Sequence, residues 1–174
     1  MTTERAELTE LNELYREACE YFADDAGRVP VPPDRCLCGD ELPPGGRLEN
    51  YDLLSIRVAG TLIGYMAVYR DYPAVRVVGI PFIYIGEAAR GAGFGQTVLR
   101  MIFRHFTSVG YGVIRAAVSL RNWGALRFFF RSGFRTVTDI QADGRECDGG
   151  SGRIVLERPL LDSASSLPEI FADM

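Results

Sequence analysis

Residues 83–99 read IYIGEAARGAGFGQTVL, and no other stretch restricts the fold as tightly. An apolar run of strand type stops, glycines recur at Gly91, Gly93 and Gly95, and an apolar helical pattern begins at once. Residues without a Cβ let the backbone curl until its N–H groups converge, and here those groups lead into a helix N-terminus, which favours negative charge. The stretch therefore predicts a strand–loop–helix unit shaped for an anion such as a diphosphate. Phe94, between two glycines, packs inward to hold the turn, and Arg90 braces carbonyls or meets phosphate.

Two common anion loops do not fit. A P-loop needs Gly-Lys-Ser/Thr after its glycines, whereas Gln96-Thr97 follows here and all nineteen basic residues of the chain are arginine. A dinucleotide fingerprint needs G-x-G-x-x-G and an acid at the end of the next strand; this loop is G-x-G-x-G, and that strand carries Arg115, Val118 and Ser119. A glycine-rich connection that binds nothing is the plain alternative, disfavoured by the conformational entropy that three glycines cost.

Around this unit the chain reads as an α+β fold. Glu4 to Phe22 is helical, with Leu8, Leu11, Leu14, Tyr15, Ala18, Cys19 and Phe22 at threes and fours. Gly27 to Gly46 is rich in Pro and Gly and holds at most a short helix. Tyr51–Val58 and Thr61–Tyr69 form a hairpin around Ala59-Gly60. Val75–Ile85 is a third strand, Phe94–Phe106 a helix, Gly112–Leu120 a strand and Asn122–Ser132 a helix stopped by Gly133. Phe134–Ile140 and Gly152–Glu157 are two last strands. The expected whole is one domain over residues 1–174: an acidic helix and loop (1–50), a core (51–140), a last strand pair (141–158) and a tail (159–174), the tail being a loose terminus or an arm on a partner chain in a homodimer.

Composition limits the setting. With 174 residues and 47% apolar content the chain is long enough to bury a real core. It has no apolar run near the roughly 18 residues of a membrane span, and its charged start is not a signal peptide, so a cytoplasmic protein is expected. Four cysteines, with Cys36-Leu-Cys38 lacking a partner pair at metal spacing, predict neither a disulfide scaffold nor a metal site. Charge is uneven. Residues 1–50 carry twelve acids and five arginines, and residues 51–135 carry three acids and eleven arginines. The basic middle, with Arg100 and Arg104 after the loop, suits a polyanionic small molecule; no stacked-aromatic and basic array points to nucleic acid.

At these residues the sequence resembles a family. Arg90-Gly-Ala-Gly-Phe-Gly95 is similar to the R/Q-x-x-G-x-G/A acyl-CoA-binding motif of the GNAT N-acetyltransferases, and Asn122-Trp-Gly-Ala125 with Phe128-Phe129 and Gly133-Phe134 resembles the family's downstream segment. The resemblance covers residues 52–140 and implies a mixed, mainly antiparallel sheet with helices on both faces and a splayed central strand pair. The family's usual first strand has no counterpart here. It further implies acetyl-CoA as co-substrate: Ile83, Tyr84 and Ile85 along the pantetheine arm, Gly91, Ala92, Gly93, Phe94, Gly95 and Gln96 with Arg90 around the diphosphate, and Asn122, Ala125, Phe128 and Phe129 beside the thioester. The implied reaction is direct attack of an amine on the thioester.

One position departs from the family pattern. Where the family's tyrosine donates a proton to the departing thiolate, this chain has Phe129. A thiol with pKa near 8.5 leaves tolerably without help, so the change weakens a mechanistic claim more than the family resemblance, and it keeps open a non-catalytic acyl-CoA sensor. No acid lies at Val77-Val78-Gly79, where a general base is expected. Tyr84 is the preferred catalytic candidate, with Tyr69, Asp71 or a relayed water as alternatives, while Glu87 lies past the strand end and His105 late in its helix. In the family the leading helices wall the acceptor side, which brings Asp24, Asp25, Asp34, Asp40 and Glu41 near the incoming amine and favours cationic acceptors; a merely solvated acidic face is the alternative.

Overall fold

The structure, a computed structural model, describes residues 5–26, 30–142 and 152–160. Elements follow in the order α1 (Arg5–Ala26), α2 (Pro33–Cys38), β1 (Tyr51–Val58), β2 (Thr61–Arg70), β3 (Val77–Ile85), α3 (Phe94–Ser108), β4 (Val113–Ser119), α4 (Trp123–Arg131), β5 (Thr136–Ala142) and β6 (Gly152–Pro159). The six strands make one sheet in the order β1-β2-β3-β4-β6-β5, in which only β3 and β4 run parallel. No strand precedes Tyr51 among the described residues. The turn expected between the last two strands, residues 143–151, and the tail from residue 161 lie outside the described residues.

Helices cover both faces. The apolar stripe of α1 buries Leu11 and Ala18 completely, and with Cys36 of α2 they pack on Tyr51, Leu53, Tyr65, Ala67, Tyr69, Phe82 and Tyr84. On the opposite face, Leu99, Phe103 and Phe106 of α3 and Leu126 and Phe129 of α4 pack on Met66, Val68, Val78, Ile80, Ile114, Ala116 and Leu156. A fully buried leucine such as Leu99 or Leu156 contributes about 1.5–3 kcal/mol over its exposed state, so this second layer is what fixes α3 and α4 on the sheet. Helix α2 begins with Pro33 in its first turn and stops at Gly39, whose positive φ of 95° lets its N–H return to Cys36 O.

The decisive irregularity is in β3. Ala67 pairs with Phe82 and Tyr69 with Gly79, so Val68 alone opposes both Ile80 and Pro81. This bulge reverses the alternation: Val78 and Ile80 face α3 and α4, whereas Phe82 and Tyr84 face α1. Parallel pairing of β3 with β4 runs from Val77↔Val113 to Ile80↔Ala116 and stops there. The next residue is Pro81, which has no N–H to continue a ladder. Beyond it the two strands part, β3 held only by β2 and β4 only by β6.

Candidate active site

The parting strands leave backbone groups without strand partners. Gly86 N–H bonds to Ile63 O at 2.8 Å, which fixes Tyr84 as the residue exchanging its bonds with Tyr65 and turns the N–H and C=O groups of Ile83 and Ile85 towards the gap. Across it, the bond from Leu120 N to Gly152 O (2.9 Å) turns the backbone of Ala117 and Ser119 the same way. The gap belongs to a cleft of about 1300 Å³ that opens on both faces of the sheet, towards α1 and the segment after α2 on one side and towards the starts of α3 and α4 on the other.

The glycine loop closes one end. After a 3-10 turn at Glu87–Ala89 the chain reaches Gly91 (φ 78°) and Gly93 (φ 82°), left-handed conformations that L side chains rarely adopt, and a Cβ added at either would meet no protein atom within 4 Å. Gly93 caps α3 with no side-chain acceptor, so the first-turn N–H groups from Phe94 to Gln96 have no intrahelical partner. Gly95 answers to a different constraint, since a Cβ there would lie 3.0 Å from Phe128 Cε2 on α4. Phe94 is half-buried, and Ala92 and Gln96 are exposed.

Arg90 takes the bracing option. Its Nε donates to Ile85 O at 2.9 Å and its guanidinium donates to Tyr84 Oη at 2.7 Å, stacking over Tyr21 (4.5 Å) and Tyr84 (5.0 Å). Tyr84 in turn donates to Glu17 Oε1 at 2.9 Å, an oxygen that also receives Glu87 N–H. Burial above all, and then the Glu17 carboxylate, push the Tyr84 phenol well above its ordinary pKa, with Arg90 opposing. Tyr84 therefore stays protonated near neutral pH, as a donor rather than a base. The sequence reading overlooked Glu17. Its signal was an acid on the apolar stripe of α1, between Leu14 and Tyr21.

Asn122 is 3% exposed and caps α4 through Oδ1, which accepts from Ala125 N–H at 2.6 Å, so its amide NH₂ remains as a donor for a ligand. Ala125, Phe128 and Phe129 line the cleft beside it. Phe129 is 6% exposed with its ring 5.1 Å from that of Phe134, so it serves the core as well. Tyr69 also lines the cleft, and its hydroxyl accepts from Arg47 N–H at 2.6 Å. Asp71 does not line the cleft: it accepts from Arg76 N–H and from the Tyr111 hydroxyl and closes the turn before β3. His105 lies in the last turn of α3 against Phe106, away from the cleft, and Glu87 is exposed. Of the acidic residues, Asp40 and Glu41 line the cleft, Asp34 does not, and the side chains of Asp24 and Asp25 lie outside the described residues.

A family model, the acetyltransferase (GNAT) family, matches residues 9–134 and so spans the cleft, its glycine loop and both helices that start beside it. The chain belongs to the GNAT acetyltransferase family. Solved GNAT-fold structures agree over nearly the whole length. The ribosomal-protein-S18-alanine N-acetyltransferase of Escherichia coli superposes with a TM-score of 0.69 at 14% identity, covering 97% of each chain. The ribosomal-protein-alanine N-acetyltransferase of Brucella melitensis gives 0.66 at 16% identity over 91% of this chain and 98% of its own. An acetyltransferase of Thermus thermophilus gives 0.68 at 23% identity over 88% and 91%. At such identities the likeness is one of fold. No curated protein sequence matches. No helix among the described residues is long and apolar enough to cross a membrane.

Proposed function

We propose that this GNAT protein is an N-acetyltransferase that moves the acetyl group of acetyl-CoA to a primary amine by direct attack within a ternary complex. The observation that carries the reading is the gap beyond Pro81, with backbone that no neighbouring strand pairs on both walls and a glycine-capped helix at its end. The residues fit the donor. An added Cβ at Gly91 or Gly93 would fill only open space, which is the room a phosphate needs against the backbone. On this reading the N–H groups from Gly91 to Gln96 hold the diphosphate. The N–H and C=O of Ile83 and the N–H of Ile85, whose C=O is held by Arg90, pair with the pantetheine amides as a strand would, and the amide NH₂ of Asn122 ties the arm to α4. When bound, the donor supplies a thioester already activated for acyl transfer.

The chain's own part is then orientation and charge. Arg90 and Tyr84 lock the end of β3, so that the backbone facing the gap is rigid before the donor arrives. Tyr84 keeps its place at the site as a positioning residue, because its surroundings hold it protonated. Phe129 offers no proton, and the thiolate leaves without a general acid. The same reading makes the protein cytoplasmic, in keeping with the free thiols of Cys19, Cys36 and Cys38. A second reading, an acyl-CoA sensor, is favoured by Phe129 alone. Thiol release on a broad amine panel, together with calorimetric titration of acetyl-CoA, separates the two: binding with turnover supports the enzyme, and binding without turnover the sensor. Absence of binding refutes both.

A further inference from the structure

The half of the cleft on the α1 face, opposite the glycine loop, has a chemistry of its own. The β3 bulge turns Phe82 into it, where Phe82 (9% exposed) and Tyr69 (5%) line the cleft together with Tyr72 (39%), whose ring packs edge-on to Tyr69 at 5.8 Å. Leu42, Pro43 and Pro73 add further apolar surface. Into this wall the segment after α2 brings one carboxylate, Glu41. Its Oε2 accepts from the Tyr51 hydroxyl at 2.9 Å with Cys36 Sγ at 3.7 Å, while Oε1 has no protein partner among the described residues. Burial first, and then Glu41 itself, raise the Tyr51 pKa, so Tyr51 remains a donor that fixes the carboxylate in place.

The other charges lining this half are engaged. Asp40 is held by Arg35 in a 2.5 Å ion pair, Asp139 accepts from Gln141 Nε2 at 3.0 Å, Arg90 is held by Ile85 and Tyr84, and Arg115 by Glu157 at 2.7 Å. Arg153 is not free either, and Arg131 belongs to α4 on the opposite face. A polyamine needs several free carboxylates and finds one. An amino acid needs a cation for its carboxylate and meets arginines already paired. A single cationic head on an apolar body is what an oriented carboxylate among aromatic rings accommodates, since the ring faces attract the cation and their area attracts the body.

Building on the acetyltransferase reading, we propose that the acceptor is a hydrophobic primary amine, of the arylalkyl or alkyl class, whose ammonium is held by Glu41 and whose apolar body lies against Tyr69, Tyr72 and Phe82. Such amines, like the lysine side chain with its pKa of about 10.4, arrive protonated. The bound ammonium gives one proton to water in the open cleft, and the freed lone pair attacks the thioester carbonyl carbon. The C–S bond breaks to release the CoA thiolate, and the second N–H proton lost as the amide forms neutralises that thiolate.

The test compares phenethylamine with L-phenylalanine, which adds a carboxylate to the same body, and with spermidine, which has charge without the body. Each is assayed by thiol release with saturating acetyl-CoA. The expected result is a kcat/KM for phenethylamine at least about tenfold above both. In Glu41→Gln, whose amide oxygen still accepts from Tyr51, the KM for phenethylamine should rise about tenfold or more, as for the loss of a charged hydrogen bond. The calorimetric affinity for acetyl-CoA should stay unchanged. Tyr72→Ala should raise the KM as well. Asp34→Asn removes one charge from the same region outside the cleft and should leave it unaltered. A preference for spermidine or phenylalanine overturns the proposal and leaves acetyl transfer standing, as does a phenethylamine kcat/KM within twofold of the parent in both Glu41→Gln and Tyr72→Ala. If no amine of the broad panel releases thiol, the acetyltransferase reading fails, and titration of phenethylamine into the CoA-loaded protein decides the pocket alone. Binding that Glu41→Gln weakens about tenfold supports it; absence of binding refutes it.

Discussion

Gly93→Val tests the anion loop, because the structure separates its two effects. Gly93 has φ 82°, so any side chain there carries the left-handed penalty of about 1–2 kcal/mol, but its Cβ would touch no protein atom within 4 Å. At about 2–4 °C per kcal/mol for a chain of this size, thermal unfolding should fall by roughly 2–8 °C, leaving the protein folded at 25 °C. The effect on acetyl-CoA is larger. A side chain in the open space above Gly93 displaces the diphosphate from the free N–H groups of α3, and each hydrogen bond to a charged group is worth about 1.5–3 kcal/mol. Affinity should therefore drop by more than tenfold, about 1.4 kcal/mol. The control is Gly60→Val in the β1–β2 turn, with φ 85° and equally empty surroundings but outside the cleft. It should lose the same few degrees and keep the parent's affinity. Calorimetric titration and thermal unfolding of both variants make the comparison. An unchanged Kd in Gly93→Val, or an equal loss in Gly60→Val, refutes the argument that the loop holds the diphosphate.

Three further outcomes are expected. Phe129→Tyr should bind acetyl-CoA like the parent and either raise turnover or shift its pH profile; a variant identical to the parent in rate and pH dependence would mean that residue 129 is remote from the leaving sulfur. Arg90→Ala removes two hydrogen bonds and a stacked cation from the end of β3 and should cost about 1–3 kcal/mol in urea unfolding, whereas no change would mean that the brace carries no load. Burial pushes the Cys36 thiol up to about 12, so at pH 8 roughly one part in ten thousand is thiolate; iodoacetamide followed by mass spectrometry should modify the exposed Cys38 and leave Cys36 intact until the chain unfolds, and equal rates at the two would contradict its burial.

What the sequence alone determined is local. The threes and fours of Leu11, Leu14 and Ala18, the hairpin at Ala59-Gly60 and the left-handed turns at Gly91 and Gly93 each record a conformational demand met within a few residues, and α1, the β1–β2 hairpin and the start of α3 lie where those demands put them. Tertiary pairing decided the rest. Strand β3 is apolar on both faces, so its pattern cannot reveal that the bulge at Ile80-Pro81 moves Phe82 and Tyr84 to the α1 side; only the register against β2 does. Insertion of β6 between β4 and β5 is a long-range choice with no local mark in the chain. Arg90 could be read as a phosphate ligand or as a brace until Ile85 O and Tyr84 Oη were found beside its guanidinium. Glu17 looked like an ordinary acid of an acidic segment, and Glu41 was one of five acids expected on the acceptor wall, with nothing to set it apart from the other four. Glu17 and Glu41 differ from their neighbours because folding brings Tyr84 to one and Tyr51 to the other, across 67 and 10 residues of chain, and a hydrogen bond between side chains distant in sequence leaves no periodicity to detect.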